Sequence, residues 1–301
     1  MMARPDPPGP APTLPALALL LNAGVWGVSW WPFRQLEGMG LHPLWATAMI
    51  YGLSLVCLLV WQPAAWRGLL AHPALWGLML ASGLTNVGFN WAVTVGDVVR
   101  VVLLFYLMPA WSIVLAAWLL GEKPTPGSLL RLALALVGVL IVLKKPGVAW
   151  PVPESAADAL ALMGGFCFAL TNVLLRKLHD TPDASRALAM FGGGTLMASM
   201  VALAGTAQGV VTPLPALSAA WLPLALGLSG AFLAGNLALQ YGAARLAAHT
   251  TALIMLSEVL FASVSSVLLG AAELSARTLC GGALIVLAAL LAAWPSRRRV
   301  P

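Results

Sequence analysis

The chain has 301 residues, 60% of them hydrophobic and only 9% charged, with a mean hydropathy of +0.91; a water-soluble domain carries about 25% charged residues. These values exclude a soluble globular protein, and in such a chain the net charge of +6 is no nucleic-acid footprint. Cys57, Cys167 and Cys280 stand singly in apolar runs without a C-x-x-C pair, which argues against a disulfide framework and against a metal site.

The chain opens with a proline-rich tail, MMARPDPPGPAPT (1–13). The apolar run after it continues through Trp26 and Trp31 without a small-residue cleavage site, so it reads as a first span and not as a signal peptide. About 20 apolar residues cross ~30 Å of hydrocarbon. On that measure the sequence predicts ten spans, at 14–35, 43–61, 74–95, 98–120, 127–144, 157–178, 186–206, 220–242, 249–270 and 276–294. No connection is long enough for a separate soluble domain.

Short-loop charges set the orientation. With the N-terminus in the cytoplasm, Arg4, Arg67, Lys123, Arg131, Arg176, Lys177, Arg186, Arg245, Arg297, Arg298 and Arg299 lie inside. Arg34, Arg100, Lys144, Lys145 and Arg277 lie outside. Eleven against five favours both termini inside, in a bacterial cytoplasmic (inner) membrane. Snorkelling and topology account for Lys144-Lys145 and Arg297-Arg298-Arg299 at the ends of spans five and ten.

The sequence repeats itself. NAGVWGVSWWPFRQL (22–36) aligns without gaps on GGFCFALTNVLLRKL (164–178), so that Trp26 meets Phe168 and Ser29 meets Thr171. TNVGFNW (85–91) aligns on GNLALQY (235–241), pairing Asn86 with Asn236, Asn90 with Gln240 and Trp91 with Tyr241. MPAWSIVLAAWLLG (108–121) aligns on SEVLFASVSSVLLG (257–270), which sets Pro109 opposite Glu258. Each half holds five spans, an odd number, so the halves run through the bilayer in opposite senses. Inverted repeats mark secondary transporters, whose substrate site lies near the midplane between them. The expected fold is an all-α polytopic membrane protein of ten transmembrane helices, two inverted five-helix repeats (14–147 and 157–294) around a central cavity. A linker at 148–156 joins the repeats, and a basic tail (295–301) follows.

The stretch PAWSIVLAAWLLGEKPTPGSLLRLALALVGVLIVL (109–143) combines an apolar span with an internal proline, a Gly-Glu-Lys-Pro-Thr turn and a second, glycine-punctuated span. It resembles the EamA repeat of the drug/metabolite transporter superfamily, and the chain as a whole is similar to the ten-helix YddG-type exporters of aromatic amino acids. The resemblance implies a central cavity lined mainly by spans one, three, four, six, eight and nine. The second half departs from the pattern: Gly-Ala-Ala-Glu (270–273) replaces Gly-Glu, and Glu258 stands where a proline is expected.

Within this frame the candidate residues follow from chemistry. Pro109 deprives the Phe105 carbonyl of its helical donor, and unsatisfied backbone at membrane depth requires protein or a cavity as its partner; a hinge and a static kink both fit. Asn86 and Asn90 share one helix face, as do Asn236 and Gln240. Substrate contact and helix glue are the two readings of these amides. Trp26, Trp30, Trp91, Tyr106, Trp111, Phe168 and Tyr241 are candidate stacking surfaces for an apolar or aromatic substrate, with Asn22, Ser29, Thr171 and Asn172 as polar lining. Glu258 is the one acid deep in a predicted span; it suits a substrate ammonium, a coupling proton or a structural pairing.

The expected function is export of amino acids, aromatic and large apolar ones first, or of similar small metabolites, by alternating access. A broader drug or amine exporter is the alternative. An intramembrane serine hydrolase using Ser229, in Gly-Leu-Ser-Gly (227–230), and His249 is the distant rival. The partners are a small-molecule substrate, the bilayer and a candidate coupling proton, with no nucleic acid. No phosphate loop occurs and no cofactor is expected.

Overall fold

The fold is that of a computed structural model, which describes residues 13–121, 123–144, 153, 155–243, 245, 254–255, 257–271 and 275–293. The predicted tails, most of the linker, His249, the acidic turn at 272–273 and Arg297-Arg298-Arg299 lie outside the described residues. Among the described residues every regular element is a helix and none is a strand. The elements are α1 (Thr13–Val28), α2 (Trp30–Gly38), α3 (Pro43–Trp61), α4 (Ala65–Ala71), α5 (Ala74–Val95), α6 (Val98–Phe105), α7 (Met108–Leu120), α8 (Pro126–Leu143), α9 (Ala156–Lys177), α10 (Asp183–Ala207), α11 (Leu222–Ala243), α12 (Ser257–Leu268) and α13 (Ala276–Ala293).

Among the described residues six segments are long and apolar enough to cross a membrane: Thr13–Gly38, Pro43–Trp61, Val98–Leu120, Ala156–Lys177, Asp183–Ala207 and Leu222–Leu239. Helix α5 joins them only together with α4, from which it is bent by 112°; its buried Thr85, Asn86, Asn90 and Thr94 make it the more polar helix. Leu129–Val142, Ser257–Leu268 and Ala276–Ala288 are shorter apolar helices, lying where the sequence predicts spans five, nine and ten. The short helix α4 was not expected from the sequence, which reads 62–73 as a connection.

Local signals set the helix ends. Asp97 caps α6, accepting from the Arg100 amide at 2.7 Å, and Ser155 caps α9, accepting from the Asp158 amide at 3.1 Å. At the start of α3, His42 Nδ1 accepts from the Leu44 amide at 3.2 Å. Burial lowers the His42 pKa, which keeps the imidazole the neutral acceptor this bond requires. Gly121 ends α7 in the left-handed conformation, φ +69°.

Helix α6 is sequestered within the bundle, all of its residues except Arg100 being buried. Around it pack α5, α8, α9, α12 and α13. Lipid tails are as apolar as these side chains, so close backbone approach and hydrogen bonds hold the helices together, not expulsion of water. Glycines provide the approach: a Cβ on Gly88 would lie 2.7 Å from the Leu160 carbonyl of α9, and one on Gly27 would lie 2.7 Å from the Glu258 carbonyl of α12. Polar clamps fasten one end of the bundle. Arg100 donates to both carboxylate oxygens of Asp158, at 2.7 and 2.8 Å, and to the Val142 carbonyl at 2.6 Å. Arg34 donates to the carbonyls of Thr94 and Gly96.

Candidate functional site

The fourth predicted span is not one helix with a proline inside it. It breaks at Tyr106–Leu107, and Pro109 falls in the first turn of α7, where a missing N–H costs nothing. The Pro109 side chain lies outside the described residues. The Phe105 carbonyl, which residue 109 would otherwise serve, lies against Gly165 of α9, so closely that a Cβ there would come within 2.5 Å of it.

Beside the break, the Tyr106 hydroxyl lies 3.0 Å from Glu258 Oε2 and 3.3 Å from the Met255 carbonyl. Both side chains are buried, and Glu258 makes no ion pair with a described residue. Taking a carboxyl group out of water without a cation is costly, and here one tyrosine hydroxyl is its hydrogen-bond partner. Trp30 spans the same gap, donating from Nε1 to Ser265 Oγ of α12 at 2.9 Å.

Aromatic rings fill the middle. Trp26 stands edge-on to Phe89 of α5 and Phe232 of α11, with centroids 5.7 and 4.8 Å apart. Phe89 continues to Phe105 at 4.7 Å, and Phe105 to Phe168 at 5.5 Å. Trp26 and Phe168, expected to line an open cavity, therefore pack on phenylalanines that the sequence did not single out. Asn22 is fully buried; its amide nitrogen donates to the Gly235 carbonyl at 2.9 Å, and its Oδ1 has no partner among the described residues.

The asparagines of α5 turn toward α3. Asn86 accepts from the Tyr51 hydroxyl at 2.6 Å and donates to the Ser82 carbonyl. Asn90 donates to Thr47 Oγ1 at 3.0 Å, and its own Oδ1 is buried with no partner among the described residues. Their repeat mates are placed differently: Asn236 donates within its helix to the Phe232 carbonyl, and the Gln240 side chain lies outside the described residues.

Among the other candidates, Trp111 packs against the same buried core as Trp26 and Phe168, whereas Trp91 packs against a different one. Trp91 packs edge-on to His42, 5.3 Å away. Trp111 meets Phe166 at 5.5 Å, its indole nitrogen buried without a partner among the described residues. Tyr241 lies under the Arg245 guanidinium at 3.9 Å, and Asn172 is exposed. Ser29 and Thr171 return their hydroxyls to helix carbonyls, those of Trp26 and Cys167. Ser229 does the same with Ala225 at 2.8 Å, and no acid or histidine meets it among the described residues. Among those residues, too, no cluster of His, Cys, Asp and Glu is arranged to hold a metal.

Sequence reasoning did not single out Tyr51, Thr47, Phe89, Phe105, Phe232 or Ser265. Tyr51, one of three tyrosines in the chain and set inside an apolar span, carried a usable signal. The phenylalanines carried none, being apolar residues in apolar runs.

The break of the fourth predicted span and the buried Tyr106–Glu258 contact thus lie side by side. Residues 13–144 match the EamA-like transporter family. The EamA-like region thus covers α1 to α8, including the break and the asparagine face. Members of that family are transporters, and the match points to transport. No curated protein gives a significant match to the sequence. A solved crystal structure shares the fold at 19% identity, with a TM-score of 0.58 over 92% of this chain and 95% of that chain. The shared architecture therefore extends past the EamA-like region into the second half.

Proposed function

We propose that the protein is a secondary transporter built from two inverted five-helix halves, working by alternating access. It exports amino acids, aromatic and large apolar ones first, or similar small metabolites, across a bacterial inner membrane. The observation that carries this reading is the pairing of the helices. Moving every span five places along the chain exchanges α1–α11 with α9–α5, α1–α12 with α9–α6, and α3–α11 with α10–α5. The pairs α3–α10, α8–α13 and α6–α12 return onto themselves. Two like halves around a two-fold axis in the membrane plane account for that exchange, and such halves rock against each other about a site at their interface.

The glycine contacts follow the same rule. The first span of each half, through Gly27 or Gly165, admits a backbone carbonyl from the fourth span of the other half. On this reading the break at Tyr106–Leu107 is the hinge of span four. The substrate preference rests on the rings of Trp26, Phe89, Phe105, Phe168 and Phe232, which part to accept an aromatic or apolar side chain. Glu258 receives a substrate ammonium or a coupling proton.

Counterflow tests the reading: labelled phenylalanine taken up by proteoliposomes preloaded with unlabelled amino acids. Protein-dependent accumulation is expected, with a loss of about tenfold or more in Trp26→Ala, since truncating a central aromatic contact costs roughly 2 kcal/mol. Folded protein that accumulates no phenylalanine, but does accumulate an organic amine, would move the assignment to a drug or amine exporter.

Asn90 separates site from scaffold. Its unpartnered Oδ1 fits an acceptor kept for a ligand, whereas its bond to Thr47 fits helix glue. Asn90→Ala is expected to reduce counterflow several times more than it reduces the yield of folded protein. Equal loss of both, measured by size-exclusion recovery beside uptake, would make the residue structural.

A further inference from the structure

The Tyr106–Glu258 contact is covered on one side by a hydrogen-bonded tryptophan. Trp30 is buried, and its indole crosses from α2 to α12, where Nε1 donates to Ser265 Oγ at 2.9 Å and the Ser265 hydroxyl donates on to the Ala262 carbonyl at 3.2 Å. Ser265 lies seven residues beyond Glu258, two turns along one face of α12 and roughly 10 Å along its axis. The Arg34 guanidinium stands over the Trp30 ring, 5.1 Å from its centroid, and also donates to the Thr94 and Gly96 carbonyls at the end of α5. Trp30 and Arg34 together thus join α2, α5 and α12 between Glu258 and that end of the bundle.

The repeat does not supply a second copy of this device. The internal alignments set Asn172 opposite Trp30 and Ala116 opposite Ser265. Asn172 is exposed, and Ala116 packs with Leu115, Ala169 and Val173 in an apolar contact between α7 and α9. The seam between the first span of one half and the fourth span of the other is therefore closed by a bonded ring in one copy and by apolar packing in its mate.

We propose that Trp30 is the outer gate of the transport path, latched by Ser265 and held by Arg34, and that it shuts Glu258 off from the outer face. This rests on the transport reading above and on its topology, in which Arg34 lies outside. An indole N–H buried without an acceptor is costly, so the ring keeps its latch until the halves separate. Apolar packing at the inner seam has no directional bond to break. The resting protein therefore opens inward, the side from which an exporter takes its cargo.

The test reads water access from each face of right-side-out membrane vesicles. It uses full-length protein in which Cys57, Cys167 and Cys280 are replaced by alanine and which carries Ala262→Cys, at a buried position one turn from Ser265 toward Glu258. A membrane-impermeant maleimide added outside is expected to label that thiol slowly while Trp30 is latched. Ser265→Ala, which removes the latch and keeps the ring, should raise the outside rate several-fold, and Trp30→Ala about tenfold or more. Trp30→Phe, which keeps a ring and loses the N–H, should match Ser265→Ala and decides the matter should Trp30→Ala fail to fold. The same reagent loaded inside the vesicles should label no faster in any of these variants. Outside labelling that stays unchanged in Ser265→Ala and Trp30→Phe overturns the gate, and so does an equal rise from both faces, the mark of general loosening. Counterflow in the same vesicles separates the two failures. Unchanged labelling beside protein-dependent uptake removes the gate alone; unchanged labelling with no uptake of phenylalanine or amine removes the transport reading with it.

Discussion

Gly165→Ala is expected to lower the yield and the unfolding midpoint of the protein more than Gly164→Ala, one residue away on the same helix. A methyl group at 165 would lie 2.5 Å from the Phe105 carbonyl oxygen and 3.2 Å from its carbon, backbone atoms at the end of α6. Backbone cannot swing aside as a side chain can, so α9 and α6 must separate, and overpacking of this kind costs ~1–3 kcal/mol or more. At Gly164 the nearest atoms are Phe89 N at 3.2 Å and Phe105 Cδ2 at 3.4 Å, a contact that a small shift relieves. Gly230 is the control: nothing lies within 4 Å of a Cβ there, and alanine in a helix interior is favoured over glycine by about 1 kcal/mol. Thermal unfolding of the three variants in one detergent should rank them Gly230→Ala, Gly164→Ala, Gly165→Ala from most to least stable. If Gly165→Ala matched Gly164→Ala, the seat of the Phe105 carbonyl against α9 would be wrong.

The second large effect is expected at the contact between Tyr106 and Glu258, with the two variants failing in different ways. Tyr106→Phe removes the donor from a buried carboxyl group and should cost ~1–3 kcal/mol of stability, the penalty for a buried polar group left unmet. Glu258→Gln keeps the shape and an acceptor for the Tyr106 hydroxyl, so its folded yield should stay near wild type. It cannot ionise, and if Glu258 carries the coupling proton, gradient-driven uptake should fall at least about tenfold, ~1.4 kcal/mol, while exchange persists. Loss of both modes would assign Glu258 to the substrate ammonium; unchanged transport in both would leave it a structural group. Residues in one hydrogen-bonded pair couple by ~0.5–3 kcal/mol in a double-variant cycle, so strictly additive stabilities for Tyr106→Phe and Glu258→Gln would remove the idea that they act together.

Much of the architecture was legible because bilayer thickness acts directly on sequence. Apolar runs bounded by Pro, Gly and charge locate α3 and α5 to within a residue of Pro43–Trp61 and Ala74–Val95. The aromatic residues Trp26 and Phe168, singled out by their alignment, are linked through Phe89 and Phe105 in one run of ring contacts. Trp91 and Tyr241, picked by the same device, do not join it. An internal alignment equates positions along two helices, but not what each position faces in the bundle. The break before Pro109 was visible only as a proline. Whether a proline bends a helix or begins one depends on whether the preceding turn is continuous, and that is set by what packs against it, here the glycines of α9.

The sequence by itself determined that this is a helical membrane protein, roughly where its helices begin and end, and that one acid and a set of amides lie inside them. Those properties follow from the cost of exposing backbone and charge to hydrocarbon, which every residue bears independently of its neighbours. Only the tertiary structure decided that Tyr106 reaches Glu258, that Asn90 turns to Thr47, and that Trp30 is bonded to Ser265. In water a helix shows its inward face by the contrast between apolar and polar sides. A helix surrounded by lipid has little such contrast, so its rotation, and with it the partner of every polar side chain, is fixed by small-residue packing and hydrogen bonds to other helices.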